Sequence, residues 1–288
     1  MSSSTLGKFI SIGVAAAWLI GAGLLVSGGN PEPLLAENRF HAAPFESGER
    51  IRFEINWKPL FLFPAFKAGE VTMTLEESSF NGIDTYRISG EAISDGMLSR
   101  VAGVEIRNFY ESQIDRRDFR SYRLIERTRQ GERKRDVELD FDYGRNRVVL
   151  RETDPSVDPP KPVRRQTFQG IPAPATDILS AFYVGRLPVL DPGREYTLHL
   201  NNRGEFDRVR LAVEGLERIR TPLGRFETVK LATRGGLFRD GGDFRIWYSR
   251  DGRRIPVRFE ADVKYGKVYG QIIAFHSGSV AKGIIRVN

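Results

Sequence analysis

From residue 49 onward apolar and polar residues alternate in short runs, the period-two pattern of strands that bury one face. In the first half the runs cover residues 49–57, 69–78, 84–94 and 104–115, followed by a hairpin over 121–143 and a last run at 146–152. In the second half they cover 194–202, 206–221, 224–235, 243–251, 255–263 and 267–276. Asn81-Gly82 and Asp95-Gly96 fall between runs, where tight turns need positive φ. Asp251-Gly252 predicts a two-residue hairpin turn with Asp251 as a turn former, and Pro256 places the returning strand at an edge or a bulge.

Two stretches break the alternation. Residues 153–175 hold six prolines and no hydrophobic period, which predicts an extended crossing segment, neither helix nor central strand. Residues 176–187 (TDILSAFYVGRL) predict a short helix, with Thr176 as cap, Asp177 at the positive end of the dipole, and a stripe of Ile178, Leu179, Phe182 and Tyr183. The expected fold is all-β and mainly antiparallel: a large curved sheet or open half-barrel with one short helix at its middle and a signal helix at its N-terminus. "SGERIRFEI" and "PGREYTLHL" look like equivalent strand starts in the two halves.

The N-terminus changes the picture from fold to location. Lys8 precedes an uncharged apolar run from Phe9 to Val26, then small residues and prolines, as in an export signal. The run is 18 residues long and has no A-x-A site, so an uncleaved inner-membrane anchor is the alternative. Residues 1–29 are therefore a signal peptide or anchor and 30–43 a linker. One β domain follows over 44–276, with a tail at 277–288. The chain has no cysteine, so neither a lipid anchor on Cys nor a disulfide framework is available, and a Gram-negative periplasm is the expected compartment.

Formal net charge is +7, and +6 without the signal. Much of the excess lies in the hairpin ribbon, at Arg123, Arg127, Arg129 and Arg133 among others, with Arg250, Arg253 and Arg254 adding to it near the other hairpin tip. Such a basic rim suits anionic lipid head groups or acidic polysaccharide, and export argues against nucleic acid. The plainer reading is a solvated hairpin: Leu124, Glu126 and Thr128 share one face and Val137, Leu139 and Phe141 oppose them, leaving the charges to water. A second oddity is the aromatic segment between the first two strands. Trp57, Phe61, Phe63 and Phe66 occur there, interrupted by Pro59 and Pro64, and either fold back on the core or meet a membrane or lipid.

Catalytic patterns are poor. His41, His199 and His276 stand singly, without metal-ligand spacing; neither a metal nor another cofactor is expected. No nucleophile elbow or phosphate-binding loop occurs, and Ser180 lies inside the expected helix. Glu54, Glu91, Glu111, Asp177 and Asp251 are the carboxylates that a hydrolase would need to pair, and linear sequence cannot pair them.

Four motifs in order, "SGERIRFEINW…AGEVTMTLEE", "TDILSAFYVGRLPVLDPG", "VEGLERIRTPLGRFETVKL" and "IWYSRDGRRIPVRFEADVKYGKVYGQI", resemble the DUF3108 family of exported bacterial proteins over roughly residues 44–276. The resemblance implies a secreted or periplasmic, mainly β protein and no particular activity. The chain departs from it at "INWKPLFLFPAFKAGE", which is longer and more apolar than a short turn. Three functions follow in order of expectation: a non-catalytic binding or carrier protein for an anionic amphiphile or acidic polysaccharide, an assembly factor that pairs with another envelope component, and a carboxylate-dependent glycan hydrolase.

Overall fold

The computed structural model describes residues 32–34, 43–60, 64–94, 105–234, 242–263 and 266–278. The N-terminal run, His41, Phe61, Phe63 and the C-terminal tail lie outside the described residues. Sixteen strands form one sheet. The first half gives β2 (Glu49–Pro59), β3 (Phe66–Phe80), β4 (Ile83–Ser94), β5 (Arg107–Asp115), β6 (Ser121–Gln130), β7 (Arg133–Asp142), β8 (Arg147–Asp154) and β9 (Lys161–Gln169). The second gives β11 (Glu195–Asn202), β12 (Glu205–Thr221), β13 (Gly224–Arg234), β14 (Phe244–Ser249), β15 (Pro256–Val263) and β16 (Gly266–His276). Two-residue strands β1 (Glu32–Pro33) and β10 (Ala175–Thr176) both pair in parallel with β11.

The order is β11 to β16 and then β2 to β9, antiparallel throughout. The last strand therefore zips to the first long one, with Gly270 opposite Ile55 and Val268 opposite Trp57. Two meanders become one, and the middle of the sequence supplies the outermost long strand at each end of the sheet. The sheet curls: Phe206 of β12 meets Phe141 of β7 at 6.3 Å between ring centroids, although nine strands separate them in the ladder. The chain leaves β9 at one end and enters β11 at the other, so residues 170–194 cross the concave face.

That crossing carries helix α1 (Ala181–Val184), a single turn. The expected helix over 176–187 is shortened because side chains compete for its first turn. Thr176 belongs to β10, and Asp177 closes a turn just ahead of the helix, its Oδ1 accepting from the N–H of Leu179 and of Ser180 at 2.9 Å each. Its Oδ2 takes hydroxyls from Ser112 and Ser121, tying the crossing to β5 and β6. Leu179 packs over Gly90 of β4, where a Cβ would lie 3.1 Å from its Cδ1.

Nine residues on, Arg186 is fully buried. Its guanidinium donates to Glu49 at 2.6 and 3.0 Å, to the carbonyl of Pro44 at 2.9 Å and to that of Arg253 at 2.7 Å. It also lies over the rings of Phe45 and Tyr183. One side chain thus joins the crossing, the start of β2 and the β14–β15 loop.

Two sequence expectations take a different form, and a third holds. The proline-rich stretch 153–175 is not a crossing segment along its whole length: its middle forms β9, an edge strand with Pro162 at a bulge against β8, where a missing N–H costs no central ladder bond, and the crossing starts at residue 170. The β14–β15 turn spans six residues, since Tyr248 pairs with Pro256 across a bulge. Asp251 still forms it, accepting from Ser249 Oγ at 2.7 Å and from the N–H groups of Arg253 and Arg254 at 3.2 Å each. The two similar strand starts are equivalent in detail: Gly48 and Gly193 both have φ of 90°, and each donates its N–H to a carbonyl of the next strand, Leu75 or Val213.

Removing one partner of the buried pair strands the other in a dry interior, so Arg186→Met should lose about 3–5 kcal/mol of stability. The double variant Arg186→Met/Glu49→Leu should recover part of that loss in urea unfolding, because no uncompensated charge then remains.

Candidate binding cleft on the concave face

The concave face is divided by chemistry. Around β11–β14 it is apolar, and a cleft of about 60 Å³ stays open between that wall and the crossing segment. Alternate residues supply the wall: Leu198 and Leu200 on β11, Val209 and Leu211 on β12, Leu231 on β13, and Phe244 on β14. Ile178, Ala181 and Phe182 face them from the crossing. Phe182 makes edge contacts with Phe244 and Phe259, at 6.1 and 5.4 Å between centroids. The polar groups at the cleft are spoken for. Tyr248 donates its hydroxyl to the carbonyl of Phe182 at 3.1 Å, and burial pushes its pKa well up. Thr233 Oγ1 accepts from the N–H of Phe244 at 3.0 Å.

Volume decides what this cleft holds as it stands. It exceeds the ~10–15 Å³ that one water needs, yet falls short of a ~150 Å³ cavity that admits benzene. Two roomier depressions lie elsewhere and are polar. One of about 790 Å³ runs over β2–β5, floored by Thr72, Thr74 and Ser89 and edged by Arg50 and Arg52. Another, of about 580 Å³, lies among Phe80, Tyr122, Tyr143, Arg120, Arg123 and Asp140.

The expected site residues are dispersed over these surfaces. Trp57 is buried and meets half-buried Phe66 edge-on at 5.5 Å, and neither lines the cleft. Arg123 pairs with Asp140 and Glu138, and Arg129 with Asp136. Arg253 pairs with Asp251 at 2.6 Å and covers the ring of Phe275. Arg254 donates to the carbonyls of Arg186, Leu187 and Pro188, closing the C-terminal end of the crossing turn. Arg127 lies over Phe109 and faces solvent, as do Arg133 and Arg250. Three of the six cations on β6 and β7, Arg123, Arg129 and Arg135, thus meet a carboxylate on a neighbouring strand, which weakens the single-sign field that their sequence density suggests.

Of the carboxylates singled out in the sequence, Glu91 and Glu111 are diagonal neighbours on one face of β4 and β5, since Ser89 pairs with Glu111 and Glu91 with Phe109, and the others are held separately. Glu54 accepts from Asn56, Glu91 pairs with Arg107, Asp177 caps the crossing and Asp251 its turn. Glu111 lies opposite Ile125 on β6. Two others do approach one another through Arg203: Glu126 at 3.3 Å and Glu152 at 3.9 Å. The signal was present in the ribbon, where Glu126 shares the core-facing side with Leu124. Burial raises the pKa of Glu126, with Asp177 and Glu152 adding to the effect and Arg203 opposing it. His199 is shifted down by burial and by Arg208. Among the described residues no three metal-ligating side chains gather, and no helix is long and apolar enough to cross a membrane.

The family described as protein of unknown function DUF3108 matches residues 52–272, well over half of the chain. The chain belongs to the DUF3108 family. No curated protein matches it. This DUF3108 protein shares its fold with a β-barrel-like protein of unknown-function family DUF1849 from Brucella abortus. The TM-score is 0.53 at 10% identity, over 81% of this chain and 98% of that one. A candidate exported protein with a YmcC-like fold from Bacteroides fragilis aligns over 81% of this chain and 98% of its own. Its TM-score is 0.29 and its identity 12%.

Glu126 gives the DUF3108 protein a signed pH dependence. Because its folded pKa is raised, its contribution to stability is complete below the ordinary carboxylate value of about 4.3 and is lost as pH rises through the elevated one. Denaturant unfolding across that range should show wild type losing stability relative to Glu126→Gln with increasing pH. Parallel profiles would mean that Glu126 is not ionising in a dry site.

Proposed function

We propose that this DUF3108 protein is an exported, periplasmic binding or carrier protein that takes the apolar part of an anionic amphiphile into the concave cleft. The observation that carries the reading is the continuous apolar wall of β11–β14 facing a crossing segment that does not fill the space before it. Interiors normally close to crystal-like density, so an apolar gap on the concave side of a curled sheet is a place for an acyl chain. The positive net charge favours an anionic head group outside it.

A second reading, acidic polysaccharide on the outer face, is favoured by the larger depression over β2–β5. Its hydroxyl floor and arginine edge match a polyhydroxylated anion, and Arg52 there is already held by Glu70. The assembly-factor and hydrolase readings have less support. Of the carboxylates that a hydrolase would pair, Glu91 and Glu111 are cross-strand neighbours but Glu91 is held by Arg107, and Glu126 is buried against Arg203.

Native mass spectrometry of protein purified from its own envelope should reveal a bound lipid. Ala181→Phe, which fills the cleft from a half-buried position, should lose that mass while keeping its far-UV circular dichroism. Bare wild-type protein would overturn the carrier reading.

A further inference from the structure

The cleft is smaller than any acyl chain needs, so its wall must move if the carrier reading holds, and the fold contains one wall suited to moving. Leu198, Leu200, Val209 and Leu211 all sit on the β11–β12 hairpin, the outermost long hairpin of the second half. Beyond β11 there are only the two-residue ladders of β1 and β10. No ladder joins β11 to β9 among the described residues, so the curled sheet has an open seam there.

The tip of this hairpin closes the seam through side chains. Asn202 pairs with Glu205, and the two residues between them, Arg203 and Gly204, have φ of 49° and 100°, the backbone of a tight hairpin turn. Asn201 Oδ1 accepts from the N–H of Gly204 at 3.1 Å and fixes the turn. Arg203 Nη2 donates to Glu126 on β6 at 3.3 Å, and its Nη1 lies 3.9 Å from Glu152 on β8. Gly204 sits against Phe168 of β9 so closely that a Cβ would come within 2.1 Å of the ring. Phe206 completes the contact on Phe141 of β7. An arginine in left-handed backbone, aimed into the opposite half of the sheet, is a costly arrangement unless the contact it makes matters.

We infer that the β11–β12 tip is a latch: Arg203 on Glu126 and Glu152, with Gly204 on Phe168, holds the hairpin shut, and its release swings the hairpin outward and widens the cleft to admit an acyl chain. The admission of a ligand rests on the carrier reading; the latch itself rests only on the seam and its contacts. On its outer side the hairpin is held by two-residue parallel ladders and not by a full-length strand, which suits it to opening locally.

The test compares Arg203→Ala and Arg203→Lys with wild type in hydrogen exchange and in stopped-flow binding of cis-parinaric acid, a fluorescent fatty acid. Losing a charge-assisted contact should raise amide exchange over residues 198–211 by about tenfold and leave β3 and β4 unchanged. The association rate of the probe should rise by a similar factor in Arg203→Ala, stay near wild type in Arg203→Lys, and vanish when Ala181→Phe is added. Unchanged exchange over 198–211 in folded Arg203→Ala overturns the latch, whatever the probe does. Raised exchange with no probe binding by wild type or variant supports the latch and overturns the carrier reading. Raised exchange with an unchanged association rate overturns the claim that the latch gates entry.

Discussion

Everything in this fold follows from one constraint: a chain that leaves a curled sheet at one end and re-enters at the other has to pass through the concave interior. Residues 170–194 make that passage, and their backbone polar groups lose water on the way. Two side chains solve the problem. Asp177 takes the first N–H groups of the turn and two serine hydroxyls from the sheet. Arg186 donates to Glu49 and to carbonyls from two other segments. The carbonyls of Arg186, Leu187 and Pro188, just past the turn, are met by Arg254. The single helical turn is thus flanked on both sides by charged groups that take up the backbone polar groups of the crossing.

The same passage divides the interior in function. On the β11–β14 side it stands off from the sheet and leaves the apolar cleft, while on the β5 and β6 side it is bonded closely through Asp177. Glu126 and Arg203 then hold the far tip of the apolar half against the opposite strands. On the carrier reading proposed above, the site has to be dry when empty and openable when used; apolar packing would supply the first property, and a contact made of a few side chains across a seam the second.

Much of the secondary structure was legible because strands that bury one face must alternate. The hairpin at Gly131, the six strands of the second half, the half-barrel with its join in the middle, and the DUF3108 family all appear in the linear pattern. What misled was local chemistry that tertiary contacts redirected. Thr176 looks like a cap, but its backbone is drawn into β10 and Asp177 takes the N–H groups that precede the helix. Asp251-Gly252 looks like a two-residue turn, but Arg254 must reach the crossing segment, and the loop lengthens to let it. The arginine-dense ribbon reads as a basic surface, but its neighbours in the sheet supply Asp136, Glu138, Asp140 and Glu152.

By itself the sequence determined an all-β chain of curved antiparallel meanders with a short crossing segment, because periodicity and turn chemistry act between near neighbours. Only the tertiary structure decided that the first and last long strands pair, that Arg186 finds Glu49, and that Glu126 and Glu152 meet at Arg203. Glu126 and Arg203 are 77 residues apart and Glu49 and Arg186 are 137, the two strands farther still, and no local pattern encodes which distant partner a buried charge will meet. The cleft belongs to the same class: its lining residues are ordinary strand residues one by one, and they enclose a space only because the sheet curls and the crossing segment does not fill it.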